Sequence, residues 1–289
     1  MDIKNIVVNR RIRGFQFFFL IPVLIILSGC VKKETISEIP SVISIETLSE
    51  ITSETGEIVS EPVSETVSET VSEPESNLLP EETVADSPTL LYQGHGSLRI
   101  QTAEGNVIYI DPYAGDGYDL PADLILITHG HYDHTQTNLI KNKKDDCKTV
   151  TWKDALTDGE YQNFDFDFVS VQAVEAGYNK NHNVKECVGY VLTFPNSVKV
   201  YVSGDTSKTP QMEKLEDIDY AFFCCDGVYN MDPAEASECA SLVGAKHSIP
   251  YHMKPADPKD CFDQTQADAF EAEGKIVLKP GDELQLTVE

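Results

Sequence analysis

Short apolar runs separated by turn-forming residues begin near position 90 and continue to the end of the chain, and most have the length of strands. Residues 90–95 (LLYQGH), 97–103 (SLRIQTA) and 106–113 (NVIYIDPY) read as three strands, with Glu104-Gly105-Asn106 making a hairpin turn. Residues 122–128 (ADLILIT) form an unbroken apolar run, the pattern of a strand buried on both faces. A helix is predicted after His134. Further strands are predicted at 164–174, 188–194, 198–203, 220–225, 248–251, 276–278 and 284–288, and helices near 210–215, 234–243 and 264–272. Runs of strands interleaved with single helices predict an α/β fold, two sheets sandwiched between helices in a four-layer αββα arrangement.

Upstream of position 89 the pattern changes. Lys4, Arg10, Arg11 and Arg13 precede an apolar run over 15–27 that is too short to span a membrane comfortably. The run ends Leu27-Ser28-Gly29-Cys30, which resembles the bacterial lipobox. Small residues at 28 and 29 suit a peptidase cleft, and the Cys30 thiol is the group that forms a thioether to diacylglycerol. Residues 1–29 are therefore expected to be a lipoprotein signal peptide. Two acyl chains on Cys30 suffice for stable anchoring, outside the cytoplasmic membrane of a bacterium. Residues 30–88 follow as a Ser-, Glu- and Thr-rich segment in which VSET recurs at 63–66 and 67–70. Lacking aromatic residues and carrying mostly negative charge, it cannot bury enough surface to order itself. As a coil it would reach roughly 40 Å. Residues 89–289 are left as the globular domain.

Charge and cysteines narrow the reading. A net charge of -26 argues against nucleic acid, whose phosphates call for clustered Lys and Arg. Six cysteines lie beyond Cys30: Cys147, Cys187, Cys224, Cys225, Cys239 and Cys261. An even count in an exported protein is compatible with disulfides. Cys224 and Cys225 are adjacent in a strand-like run, however, and the domain is large enough to bury a core unaided, so buried free thiols are expected. No CxxC occurs, and no structural zinc site is expected.

The sharpest chemical signal is His129-Gly130-His131-Tyr132-Asp133-His134, directly after the 122–128 strand. Three imidazoles and a carboxylate in six residues give a buried strand end nothing structurally. In a loop, HxHxDH spacing aims alternate side chains at two neighbouring points and supplies ligands to a metal pair. His and Asp donors suit zinc, iron and manganese.

This motif and its surroundings resemble the metallo-β-lactamase superfamily, over roughly residues 90–289. The likeness is to the branch with L-ascorbate-6-phosphate lactonase-like proteins and the N-acyl-phosphatidylethanolamine-hydrolysing phospholipase D. It is carried also by Gly94-His95-Gly96-Ser97, Asp111-Pro112, Gly204-Asp205-Thr206 and Ile249-Pro250-Tyr251-His252. The resemblance implies that His129 and His131 bind a first metal, Asp133 and His134 a second, and Asp205 both, with His252 completing the second site. The first site's third histidine should fall between the 164–174 strand and Asp205. His182 is the histidine available there, several residues into a loop where many relatives place it directly after the strand. Its Gly177-Tyr178-Asn179 context looks like a related branch's Ala-Tyr-Asn turn. His95 is expected near the metals without binding them, and His247 fits no ligand position.

What the resemblance implies chemically is hydrolysis by a metal-bound hydroxide, with two divalent ions, zinc foremost and manganese or iron as alternatives. Asp133 would orient the water and shuttle a proton. Tyr229 and Asn230, on a loop after the 220–225 strand, are candidates to hydrogen-bond a small-molecule substrate. Capping or packing is an equal reading for both. Lys254 reads as a solvated lysine, with anion binding as the alternative. The leading expectation is a membrane-anchored hydrolase acting on a small ester, lactone or phosphodiester. The rival is a non-catalytic metal-binding or scaffold lipoprotein, favoured by the displaced third histidine.

Overall fold

The computed structural model describes residues 87–288. The expected signal peptide, Cys30 and all but the last two residues of the expected tether lie outside them. The chain opens with strands β1 (Thr89–Gly94), β2 (Ser97–Gln101), β3 (Val107–Ile110) and β4 (Ala122–Leu126), then β5 (Lys143–Val150). A four-residue helix α1 (Trp152–Ala155) and a small hairpin of β6 (Leu156–Thr157) and β7 (Glu160–Tyr161) lead to the second sheet. That sheet comprises β8 (Asn163–Phe166), β9 (Val169–Glu175), β10 (Val188–Thr193), β11 (Lys199–Val202), β12 (Tyr220–Cys224) and β13 (His247–Tyr251). Helix α2 (Pro233–Val243) joins β12 to β13, and α3 (Gln264–Ala269) precedes β14 (Glu283–Gln285), which returns to pair with β1. The sheet orders are β14-β1-β2-β3-β4-β5 and β13-β12-β11-β10-β9-β8.

Alternation along the strands accounts for the layering. Ile108, Ile110, Leu124 and Leu126 share one buried cluster with Val171, Tyr190, Val202 and Phe222 of the other sheet. Their neighbours Val107, Tyr109, Ile125 and Ile127 point the other way, into a second cluster with Tyr118 and Ile140. The 122–128 run is thus apolar on both faces because both are covered. Helices α2 and α3 cover the second sheet, burying Ala236, Cys239, Ala240 and Phe270 in the main cluster. Over the first sheet the outer layer is reduced to loops, a 3-10 turn and α1. The fold is the expected α/β sandwich, thin on one side.

Several predicted elements differ in detail. The helix after His134 is only a 3-10 turn, Thr137–Leu139, because Leu139 and Ile140 are adjacent and make no stripe at helical spacing. The 164–174 strand is a hairpin, β8 and β9, turning at Asp167-Phe168 with Phe166 paired to Val169. The 210–215 helix shrinks to a 3-10 turn, Met212–Lys214. Residues 276–278 form no strand; Ile276 N–H donates to Ser248 O at 3.0 Å beside β13. All six domain cysteines are free, five of them buried.

Candidate metal centre

The site assembles at one edge because of strand direction. Strands β11, β12 and β13 are mutually parallel, so Asp205, Asp226 and His252, each just past a strand end, emerge side by side. Strand β9 is antiparallel to β10, which is antiparallel to β11, so the loop after β9 leaves from that edge too. Gly177 N–H donates to Asp205 O at 3.1 Å, stitching that loop to the β11 turn. Gly177 has φ 92°, and a Cβ there would lie 2.9 Å from the His182 carbonyl, which explains a glycine at this point.

The Asp205 Oδ2 atom is the focus. It lies 3.3 Å from His182 Nε2, 3.3 Å from His252 Nε2, 3.5 Å from His134 Nε2 and 3.9 Å from His129 Nε2. Three groups of donor atoms fall within 4.8 Å of one another: His129, His131 and His182; His129, His134 and Asp205; and His95, Asp133, His134 and His252. All seven residues expected as ligands are therefore brought together, His182 among them despite its place deep in a loop. His129 Nε2, His134 Nε2, His252 Nε2 and Asp205 Oδ1 are buried without hydrogen-bond partners. Orphaned donors of this kind are costly to bury unless a cation takes them, so the residues fit a metal.

The partners that aim these rings were not assigned from the sequence. His134 Nδ1–H donates to Asp111 Oδ2 at 2.8 Å. Thr128 Oγ1 donates to the same oxygen at 2.5 Å and lies 3.1 Å from His129 Nδ1, from which it accepts. Asn179 Oδ1 is 3.1 Å from His182 Nδ1. Asp226 Oδ2 is 3.3 Å from His252 Nδ1, an ion-pair distance rather than an aligned hydrogen bond. Each partner occupies Nδ1 and leaves Nε2 for the centre. His95 Nε2 lies 3.1 Å from Asp133 Oδ2. Asp111 was marked in the sequence through Asp-Pro after a strand, but nothing there disclosed its hold on His134.

The local backbone is strained where it positions these groups. His95, Asp111 and His252 have φ of 52°, 46° and 46°, a left-handed region that costs a non-glycine residue on the order of 1 kcal/mol or more. Tertiary bonds hold them: the His95 carbonyl accepts from His252 N–H at 3.0 Å and from the Tyr92 hydroxyl at 3.2 Å. A Cβ on Gly96 would meet His134 Cε1 at 2.8 Å, so glycine there lets the β1–β2 turn lie against the ring.

Charge follows the same geometry. Burial opposes ionisation of Asp205, but His252 and His134 outweigh it and hold the carboxyl well below its usual range. Burial likewise disfavours imidazolium, yet Asp205 and Asp226 lift His252 to about 10, and Asp205 and Asp111 carry His134 well above its ordinary value. His129 is pushed well below by burial and by His134, and His95 falls to about 4 through burial and His252. Neutral His95 therefore donates to Asp133, and this bond overcomes burial to keep that carboxylate ionised. The cluster is built to gather positive charge around Asp205.

A cleft of about 400 Å³ opens onto the centre, lined by His131, Asp133, His182, Asp205 and His252 together with Tyr132 and Tyr229. Tyr229 thus sits where a substrate contact was expected. Asn230 does not: its amide is turned onto Asp226 Oδ2 at 2.8 Å, and it braces the carboxylate beside His252. Lys254 is ion-paired with Asp260. His247 stacks on Tyr220 with ring centroids 4.9 Å apart, away from the centre.

Comparison with known proteins gives the family. The model of the β-lactamase superfamily domain matches residues 89–252. A UPF0173 metal-dependent hydrolase of Thermococcus onnurineus is 30% identical over 226 residues, covering 68% of this chain and 98% of the relative. Its counterpart in Ligilactobacillus salivarius is 30% identical over 191 residues, 58% of this chain and 86% of the relative. A crystal structure from Parabacteroides distasonis, named as a metal-dependent hydrolase, is 27% identical with a TM-score of 0.54, covering 66% of this chain and 91% of that one. A metallo hydrolase of Ignicoccus hospitalis, 20% identical with a TM-score of 0.53 over 70% of this chain and 100% of its own, shares the fold.

Proposed function

The chain belongs to the β-lactamase superfamily and is a metal-dependent hydrolase, and from that premise we propose that it cleaves a small ester, lactone or phosphodiester at a two-metal centre outside the cytoplasmic membrane. The observation that carries this reading is the approach of four imidazole Nε2 atoms to within 3.3–3.9 Å of one Asp205 oxygen. His129, His131 and His182 would hold one divalent cation and Asp133, His134 and His252 the other, with Asp205 shared. Zinc suits these donors, as do manganese and iron.

When bound, the cations supply Lewis acidity toward a carbonyl or phosphoryl oxygen and bring the pKa of water toward neutrality. The chain's own residues do the rest. Asp133, kept ionised and fixed by His95 at 3.1 Å, orients the attacking water and passes its proton toward the leaving oxygen. Asp111, Asn179 and Asp226 fix the rings so that no reorganisation is needed during reaction. The displaced third histidine, the one feature that favoured a non-catalytic scaffold, loses its force with His182 Nε2 3.3 Å from Asp205. Extracytoplasmic anchoring rests on the lipobox-like sequence ending at Cys30.

The test is elemental analysis of purified protein, followed by assay of that sample on ester, lactone and phosphodiester panels. Two metal equivalents per chain are expected, with His131→Ala losing at least one of them and about 100-fold or more in kcat/KM. Wild-type activity in a metal-free His131→Ala sample would end the proposal.

A further inference from the structure

The cleft over the centre differs in character on its two sides. Its floor is the metal-binding set. Its walls are Tyr132, Tyr229, Pro255 and Ala256 with the amide of Asn181, and among the described residues no lysine or arginine lines it. The neighbouring lysine, Lys254, is bound to Asp260 and sits in the field of Asp263 and Asp257. Lys153 and Lys180 line an adjoining cleft of about 690 Å³, which shares His131, Asn181 and His182 with the first but does not reach Asp205 or His252. Across residues 89–289 acids outnumber bases about two to one, a field that repels anions approaching from solvent.

The two tyrosines are the second observation. Tyr132 is 62% exposed and Tyr229 50%, large apolar areas to leave in water beside a catalytic centre. Neither is loosely placed. The Tyr229 N–H donates to Asp226 Oδ1 at 2.6 Å, and its carbonyl accepts from Asn181 Nδ2 at 3.0 Å. Its main chain is thus fastened to the carboxylate that faces His252 and to the loop that carries His182. The Tyr132 ring packs edge-on against Tyr113, centroids 5.8 Å apart at 89°, and its carbonyl accepts from Gln136 Nε2 at 2.7 Å. Exposed aromatic rings on a pinned backbone make a preorganised apolar contact surface.

We infer that the substrate is an uncharged carboxylic ester or lactone carrying a flat apolar group that lies against Tyr132 and Tyr229, and that it is not a phosphodiester. The inference rests on the hydrolase reading above and narrows it to one substrate class. In the reaction the acyl C–O bond breaks, the oxygen of water bonds to the acyl carbon, and its proton ends on the leaving oxygen. The products are a carboxylate and an alcohol, joined in one molecule when a lactone opens, with the acid's proton released to solvent. Cations on the floor would take the oxygen under attack in either substrate, but the walls offer no cationic side chain for the second charged oxygen of a phosphodiester. An aryl or cyclic neutral ester loses nothing by this and gains the rings.

The test uses the full-length, detergent-solubilised, metal-loaded protein with three probes: 4-nitrophenyl butyrate, an uncharged phenyl-substituted lactone, and bis(4-nitrophenyl) phosphate. A neutral probe is expected to exceed the phosphodiester by about 100-fold in kcat/KM. Tyr229→Ala and Tyr132→Ala are each expected to raise KM for the phenyl lactone about tenfold, the size of one aromatic contact with its buried area. Their kcat and metal content should stay at the wild-type level, and Tyr229→Phe should restore KM. Preference for the phosphodiester, or KM unmoved in both alanine variants, overturns the inference and leaves the hydrolase reading standing. Metal-loaded protein that turns over none of the three brings down both.

Discussion

A hydrogen-bond chain runs from the His129 imidazole through the Thr128 hydroxyl to Asp111, where the His134 imidazole arrives from the other side. One buried carboxylate thereby sets the tautomer of two candidate ligands from different groups of the centre. Replacing it with an amide removes negative charge and one acceptor, so both rings lose their orientation together. Asp111→Asn is expected to weaken metal binding by about 10- to 100-fold, read by competition with a chromophoric chelator, while the far-ultraviolet circular dichroism stays unchanged. Unaltered affinity would show that packing alone holds the rings. At this scale the sequence is legible where chemistry demands unusual residues. HGHYDH has no cheap structural explanation, so the ligands stand out. Thr128, Asp111 and Asn179 are ordinary residues whose role exists only through a partner that the fold brings into place, distant in the chain for Asp111 and across a loop turn for Asn179. Asn230 was open to two readings, substrate contact or packing, and its amide lies on Asp226 in keeping with the second.

Among the elements, legibility tracks how far local sequence decides the outcome. Helix α2 could be read because its ends are marked. Asp232 accepts from Glu235 N–H at 2.9 Å, Pro233 opens the first turn, and Gly244 closes the helix at φ 62°. Strand β5 could not. Its sequence KKDDCKTV is almost entirely exposed, and charge on an edge strand serves to block further pairing, so no alternation betrays it. The β8–β9 turn was hidden because FDFDFV alternates straight through Asp167-Phe168. Helix α2 packs on β12, whose end leads to Asp226, so a weakened cap tests whether the outer layer supports the centre. Asp232→Ala is expected to cost about 1 kcal/mol, lowering the thermal midpoint by about 2–4 °C for a domain of this size, with metal content unchanged. A drop in bound metal at this variant would mean that the helix positions the site as well as covering the core.

At the scale of the molecule, the domain is read from structure and the residues before it from sequence alone. Every candidate ligand and orienting partner lies within residues 87–288, as does the inter-sheet cluster from Leu90 to Leu286. Folding and metal binding are therefore expected to be independent of the segment that precedes them. On the lipoprotein reading proposed above, that segment's chemistry would concern location: Cys30 would supply the thiol for lipidation, and a coil of this length would reach roughly 40 Å. The acidic surface of the domain adds to this, since anionic lipid headgroups and like-charged protein repel within a Debye length of about 8 Å. A Cys30→Ser variant is expected to leave the membrane fraction for the soluble one, with the same metal content, the same kcat/KM on a soluble ester and a thermal midpoint within about 2 °C of the wild type. If it left the membrane but lost metal or stability, the anchor would be coupled to the centre. If it stayed on the membrane in high salt, the apolar run over 15–27 or a partner would be holding it in place of acyl chains.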